Sequence, residues 1–175
     1  MEPLQLIEAF VNTADLEAGE DELEDAPGLV GWLADRGLVA GPVYATRADA
    51  AQAREMREAL RELLRANNGI DVDRDGASAT LDAAARRTGL AVRFVDGDMR
   101  FLPTRTGVAG GLAQVLGAVG HSMFDGSWSR LKACRSDTCR WAFVDHARNQ
   151  SRQWCDMAVC GNRAKARTFR RRHHP

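Results

Sequence analysis

All four cysteines of this 175-residue chain fall within its last 42 residues, and their spacing constrains the fold more than any other feature. Four residues separate Cys134 from Cys139, four separate Cys155 from Cys160, and fifteen lie between the pairs. Two close pairs held a moderate distance apart suit one tetrahedral metal ion. Each pair reaches the ion from a tight turn, and the spacer folds between them. The start, Met1-Glu2-Pro3, has no basic stretch and no apolar core of the secretory kind, so a cytoplasmic setting is expected. In a reducing compartment clustered thiols serve as metal ligands rather than disulfides. The expectation is one structural Zn2+ held by Cys134, Cys139, Cys155 and Cys160, with no open position for catalysis.

Charge is divided as unevenly as the cysteines. The chain is neutral overall, yet residues 134–175 carry ten Lys and Arg against three Asp and Glu. Residues 1–133 carry fourteen against twenty-one, an acidic body on a basic tail. Such a tail either meets a polyanion or docks on its own acidic domain. No apolar run of about 18 residues exists, so no membrane partner is expected.

The N-terminal part reads as mostly helical. Leu4, Ile7 and Val11, with Leu6 and Phe10, recur at helical spacing, with a strand at the very start as the alternative, and Asp15 to Glu24 reads as an acidic surface loop. A short helix is expected from Ala26 to Gly37, with Asp25 as its cap. The clearest helix spans Arg47 to Asn67: Ala53, Met56, Leu60, Leu63 and Leu64 share a face, Thr46 caps it, and Asn68-Gly69 stops it. Another is expected from Ala79 to Thr88. Asp96-Gly97 between Val92, Phe94, Met99 and Leu102 signals a hairpin. A glycine-spotted helix follows from Gly107 to Phe124, and the boundary falls near Asp125-Gly126-Ser127. The domains are therefore set at residues 1–126 and 127–175.

Between the cysteine pairs, the run Trp141 to Asp145, the polar turn His146 to Ser151 and the run Arg152 to Trp154 suggest a small hairpin. Asp156 then caps a helix rich in Ala and Arg that reaches about Arg172. Knuckle, hairpin and helix in that order make a treble-clef zinc finger. So small a module buries too little to fold alone, and zinc on four thiolates supplies on the order of 10 kcal/mol. On a helical wheel Val159, Asn162, Ala166 and Phe169 fall on one side, with Arg163, Arg167, Arg170 and Arg171 on the adjacent stripe. These arginines repel one another unless an anion answers them, and the guanidinium fork fits phosphate. Arg163, Lys165, Arg167, Arg170, Arg171 and Arg172 are thus the candidate contacts to double-stranded DNA.

Here the chain resembles a known family. Cys160-Gly161-Asn162-Arg163 is the tetrapeptide of the CGNR zinc fingers, and Trp141, Phe143, Asp145, Arg148, Arg152, Trp154 and Met157 agree with it. Upstream, Phe10-Val11-Asn12-Thr13, Trp32-Leu33 and Gly37-Leu38 resemble the ABATE domain that precedes this finger. The resemblance implies a bacterial, stress-induced transcriptional regulator. In it the finger binds DNA, and the N-terminal domain senses or relays a signal carried by a small molecule or a protein.

Other constellations weigh less. His146 on a zinc-bound turn invites a nuclease reading with Asn149 or Asn162, but no second histidine stands at helical spacing, and no enzyme is expected. Asp145 is expected to pair with Arg148 or Arg152. Asn12, Thr13 and Asp15 either cap and turn the chain or line a pocket. Trp128, Trp141 and Trp154 either form the finger's miniature core or stack on bases. The fold class is α+β. The function expected is DNA binding through a zinc-stabilised helix, or alternatively a zinc-dependent protein-interaction module. One finger covers too few base pairs to select a site, so a homodimer or a partner is expected.

Overall fold

The computed structural model describes residues 1–173, with side chains as far as Arg171. Helix α1 spans Pro3–Val11 and buries Leu6, Ile7, Phe10 and Val11. Its early proline is tolerated because the first turn has no partner for that N–H anyway. The acidic stretch that follows is more ordered than a loop. Strands β1 (Ala14–Asp15) and β2 (Glu20–Asp21) pair antiparallel. The reason lies in α3, whose Arg57 forks onto Asp21 at 2.5 and 2.9 Å, while Leu23 is fully buried beside it.

Helix α2 (Ala26–Asp35) starts where Asp25 accepts from the Gly28 amide at 2.9 Å. Helix α3 (Arg47–Asn67) has the capping box of Thr46 and Asp49 at one end. Gly69 stands at φ 74° just past the other, the left-handed turn that glycine adopts without strain. Helix α4 (Arg74–Thr88) begins five residues before the expected Ala79, because Asp73 accepts from the Gly76 amide and starts it there. Strands β3 (Leu90–Val95) and β4 (Asp98–Pro103) form the expected hairpin. Asp96 and Gly97 both have positive φ, 52° and 85°, as a two-residue type I′ turn requires. Helix α5 (Gly107–Phe124) runs back along β4, with Gly117 and Gly120 letting Phe101 approach.

The chain then turns once at Ser127–Arg130 and enters β5 (Leu131–Ala133), which pairs antiparallel with β6 (Ala142–Val144). A π turn at Met157–Gly161 leads into α6 (Asn162–His173). One apolar core unites α1, α2, α3 and α5, with Phe10 edge-on to Trp32 at 5.3 Å. Leu131, Ala133 and Ala142 belong to that same core. The hairpin that bears the first cysteine pair is therefore anchored in the helical body. Burying Leu131 alone contributes about 2 kcal/mol.

This corrects the hairpin expected between the cysteine pairs. Ala142–Val144 does form a strand, but its partner is Leu131–Ala133 across the first pair, and residues 152–154 form no strand. Short segments choose the partner whose apolar side chains reach the core, and Leu131 and Ala133 reach it.

Candidate metal centre and basic helix

Cys134 follows β5, and its amide donates to the Trp141 carbonyl at 2.9 Å, extending the ladder to the edge of a tight turn. Within that turn the amides of Cys139 and Arg140 both donate to the Ser136 carbonyl at 3.0 Å. Arg140 takes φ 51° to leave the turn. Cys160 comes from the π turn ahead of α6, where Asp156 accepts from the amides of Ala158 and Val159 at 2.6 and 3.0 Å.

The four sulfurs lie within 4.8 Å of one another. Cys139 and Cys155 are 3.6 Å apart and Cys155 and Cys160 3.8 Å. Four sulfurs at about 2.3 Å from one ion form a tetrahedron with edges of about 3.8 Å. A disulfide would bring two of them to about 2.05 Å, and none does. The donor set and its spacing fit one structural Zn2+. Among the described residues this is the one cluster of His, Cys, Asp and Glu able to hold a metal.

Crowding sets the thiols apart in acidity. Hydrogen bonds donated by Cys139 and Cys155 hold Cys134 far below its ordinary value. The thiolate so formed pushes Cys139 and Cys155 up, and burial, first, raises Cys160. A second thiolate here needs a cation beside it, which is what Zn2+ supplies.

The loop between the pairs hangs on Lys132 and Asp145, both buried. Lys132 Nζ donates to Asp145 Oδ2 at 2.8 Å and to the carbonyls of Gln150 and Arg152 at 2.5 and 3.3 Å. Asp145 also accepts from the amides of Ala147 and Arg152. Burial raises its carboxyl, but Lys132 and those amides outweigh burial and hold it below the carboxylate range. The expected pairing of Asp145 with an arginine side chain is thus replaced. Lys132 sits two residues before a cysteine on an inward strand, and nothing local in the sequence says that it folds under the loop. Arg152 instead lies over Phe143, 4.9 Å from its ring centre, and donates to the Trp154 and Cys155 carbonyls.

Three asparagines of the helical body hold the module. Asn12, capping α1, accepts from the Ala142 amide at 2.7 Å and donates to its carbonyl at 3.0 Å. Asn67 donates to the carbonyls of Trp128 and Leu131, both at 3.0 Å. Asn68 donates to Ala133 and Gln153 at 2.8 and 2.9 Å, joining the approaches to both cysteine pairs. Arg135 returns the contact by donating to the Asn68 carbonyl at 2.9 and 2.7 Å. Sequence reading found a helix stop at Asn68 and a capping residue at Asn12, which they are, and missed their reach across the fold. Thr13 and Asp15 cap and turn as expected, Thr13 on the Phe10 carbonyl and Asp15 on the amides of Glu17 and Ala18.

Helix α6 stands away from the body. Arg163, Lys165, Arg167, Arg170 and Arg171 are all exposed, while Arg172 lies outside the residues whose side chains are described. Arg163 is met by Glu17 of the acidic β1–β2 hairpin, an ion pair that raises the guanidinium's already high pKa. The expected apolar side of the helix is only partly covered. Val159 and Phe169 are 43 and 62 % exposed. Phe169 joins the half-buried Ala164 and Thr168 in lining a 420 Å³ groove with Trp154 and Met157. Val159 falls out of line with that side because it lies in the π turn, whose wider winding shifts the phase ahead of the helix.

His146, Asn149 and Asn162 lie on the loop and at the start of α6. All three are exposed, Asn149 accepts from Ser151, and Asn162 donates to the Ala158 carbonyl. Trp128 packs on the main core and Trp154 on α6, so these two serve packing. No described helix is long and apolar enough to cross a membrane.

A family model for the CGNR zinc finger matches residues 130–173. A second, ABATE, described as "Putative stress-induced transcription regulator", matches residues 4–125, more than half of the chain. No curated protein matches the chain. The four-sulfur cluster lies inside the first match and the helical body inside the second, in that order, and the chain belongs to the ABATE family and carries a C-terminal CGNR zinc finger.

Proposed function

We propose that this protein is a transcriptional regulator that binds duplex DNA through α6, with the ABATE domain sensing or relaying a signal. The observation that carries the reading is a set of exposed cations, Arg163, Lys165, Arg167, Arg170 and Arg171, on a helix anchored at one end by a metal cluster. A helix so held presents its guanidinium groups without first having to order itself, and each neutralised phosphate releases a counterion. We read the module as a treble clef whose middle hairpin is reduced to the loop tied by Lys132. The domain boundary stays at residues 126 and 127, and no enzymatic role is assigned. A 690 Å³ cleft beside Arg36, Leu38, Gln114 and His121 offers the ABATE domain room for a small ligand. Asn67 and Asn68, at the end of the helix that crosses that domain, would carry a shift to the finger.

The test is a titration of zinc-loaded, full-length protein against duplex DNA at several salt concentrations. Five phosphate contacts would give a slope of about −4.5 in log K against log salt, and Arg167→Ala or Arg170→Ala would each reduce it by about 0.9. Absent or salt-independent binding would overturn the reading. One observation favours the second reading, a protein-interaction module: Arg163 already engages an acidic side chain, Glu17. In that case a carboxylate-rich protein surface, not DNA, would show the salt-dependent binding.

A further inference from the structure

We infer that the free edge of β3 is a self-association surface, at which two copies of this chain pair β3 with β3 across a two-fold axis to make one four-stranded sheet. The inference is independent of DNA binding. The β3–β4 hairpin closes on a two-residue turn with Val95 opposite Asp98. Alternation from that turn makes Val95–Asp98, Arg93–Arg100 and Ala91–Leu102 the hydrogen-bonded pairs. The main-chain groups of Leu90, Val92 and Phe94 therefore point away from β4. Among the described residues no main-chain hydrogen bond from another element reaches Val92 or Phe94.

Sheet edges of this kind are ordinarily blunted by proline, a bulge or repeated charge. Strand β3, Leu-Ala-Val-Arg-Phe-Val, has one charge, no proline, and an unbroken register. Apolar side chains are exposed on the edge strand at Val92 and Phe94, and beside the hairpin turn on β4 and α5. Val92 is 50 % exposed, Phe94 80 %, Met99 of β4 40 % and Phe124 at the end of α5 75 %. Phe124 and Met99 line one groove with Gly97, His121 and Phe101.

The occupant follows from the register. A two-fold axis through Val92 sets Val92 against itself and Leu90 of each copy against Phe94 of the other, all on one face. On the opposite face Arg93 meets Ala91, so like charges do not oppose. Strand spacing of about 4.8 Å puts the two copies of β4, each over its own α5, about 14 Å apart. That exceeds the 8–10 Å or so of directly packed helices. The slot between them takes Val92 and Phe94. Aromatic side chains of about 200 Å² put the apolar patch at roughly 400 Å² per copy with Met99 and Phe124 beside the turn included, the size of the largest patch on a typical lone protein and often a functional one. Counted twice it comes to about 800 Å² before the strand main chain is added, which places the contact among the smaller, reversible interfaces below about 1,200 Å².

Sedimentation equilibrium of the zinc-loaded full chain tests this. A dimer is expected, and Phe94→Lys or Val92→Lys should each raise its dissociation constant at least about tenfold, with helical circular dichroism and zinc content unchanged. Mild oxidation should link Val92→Cys to itself between chains, since paired α-carbons there lie about 5.5 Å apart. Arg93→Cys, offset by two residues in this register, should not link. A monomer at every concentration reached, a dimer that survives both lysines, or linking at position 93 and not 92 would overturn the inference.

Discussion

Buried charge is concentrated at a few side chains, and each ties two segments together. Lys132 is 5 % and Asp145 0 % exposed, so neither can be answered by water. Removing one partner strands the other, at a cost of about 3–5 kcal/mol. Lys132→Met should therefore lower the denaturant midpoint steeply and loosen the zinc, read by chemical unfolding and by metal transfer to a chromogenic chelator. Arg57 and Asp21 act alike in the body. Burial raises the Asp21 carboxyl, but the bonds from Arg57 outweigh it and leave the value lowered from 3.8. A folded value below the unfolded one means the stabilisation is present above the ordinary carboxylate value and is lost as pH falls through the folded value. Asp21→Asn should cost about 2 kcal/mol at neutral pH. In urea titrations its gap from the parent should close as pH falls below the ordinary value.

Among the elements, α6 stands apart because its stability is borrowed. A 12-residue helix is marginal alone in water. This one has no buried residue from Asn162 to Arg171, whereas Cys160 and Gly161 just before it are buried. Stripping the zinc should melt α6 and its π turn while α1–α5 persist. The check is a partial loss of helical circular dichroism on strong chelation, with thermal unfolding of the remainder still cooperative. A complete collapse would mean the body leans on the finger more than its core requires. Strands β5 and β6 belong to the stable side of this division, since Leu131, Ala133 and Ala142 are buried in the main core.

At the scale of the whole molecule, the acidic body and basic tail meet at Arg163 and Glu17. Exposed ion pairs are weak and screened by salt, so this contact restrains α6 without locking it. Glu17→Gln should raise DNA affinity by up to about fivefold at low salt and by less as salt increases, measured by fluorescence anisotropy. Affinity unchanged at every salt concentration would mean that the pair does not compete with phosphate. Local patterns in the chain alone determined the helices, the Asp96-Gly97 hairpin, the four metal-binding sulfurs and the cationic helix. Caps, periodicity and cysteine spacing act over a few residues and can be read in place. Only the tertiary structure decided that β6 pairs with β5, that Lys132 answers Asp145, and that Asn12, Asn67 and Asn68 hold the finger. Those choices join residues from 9 to 130 positions apart, and buried polar groups take whichever partner the packed core brings within reach.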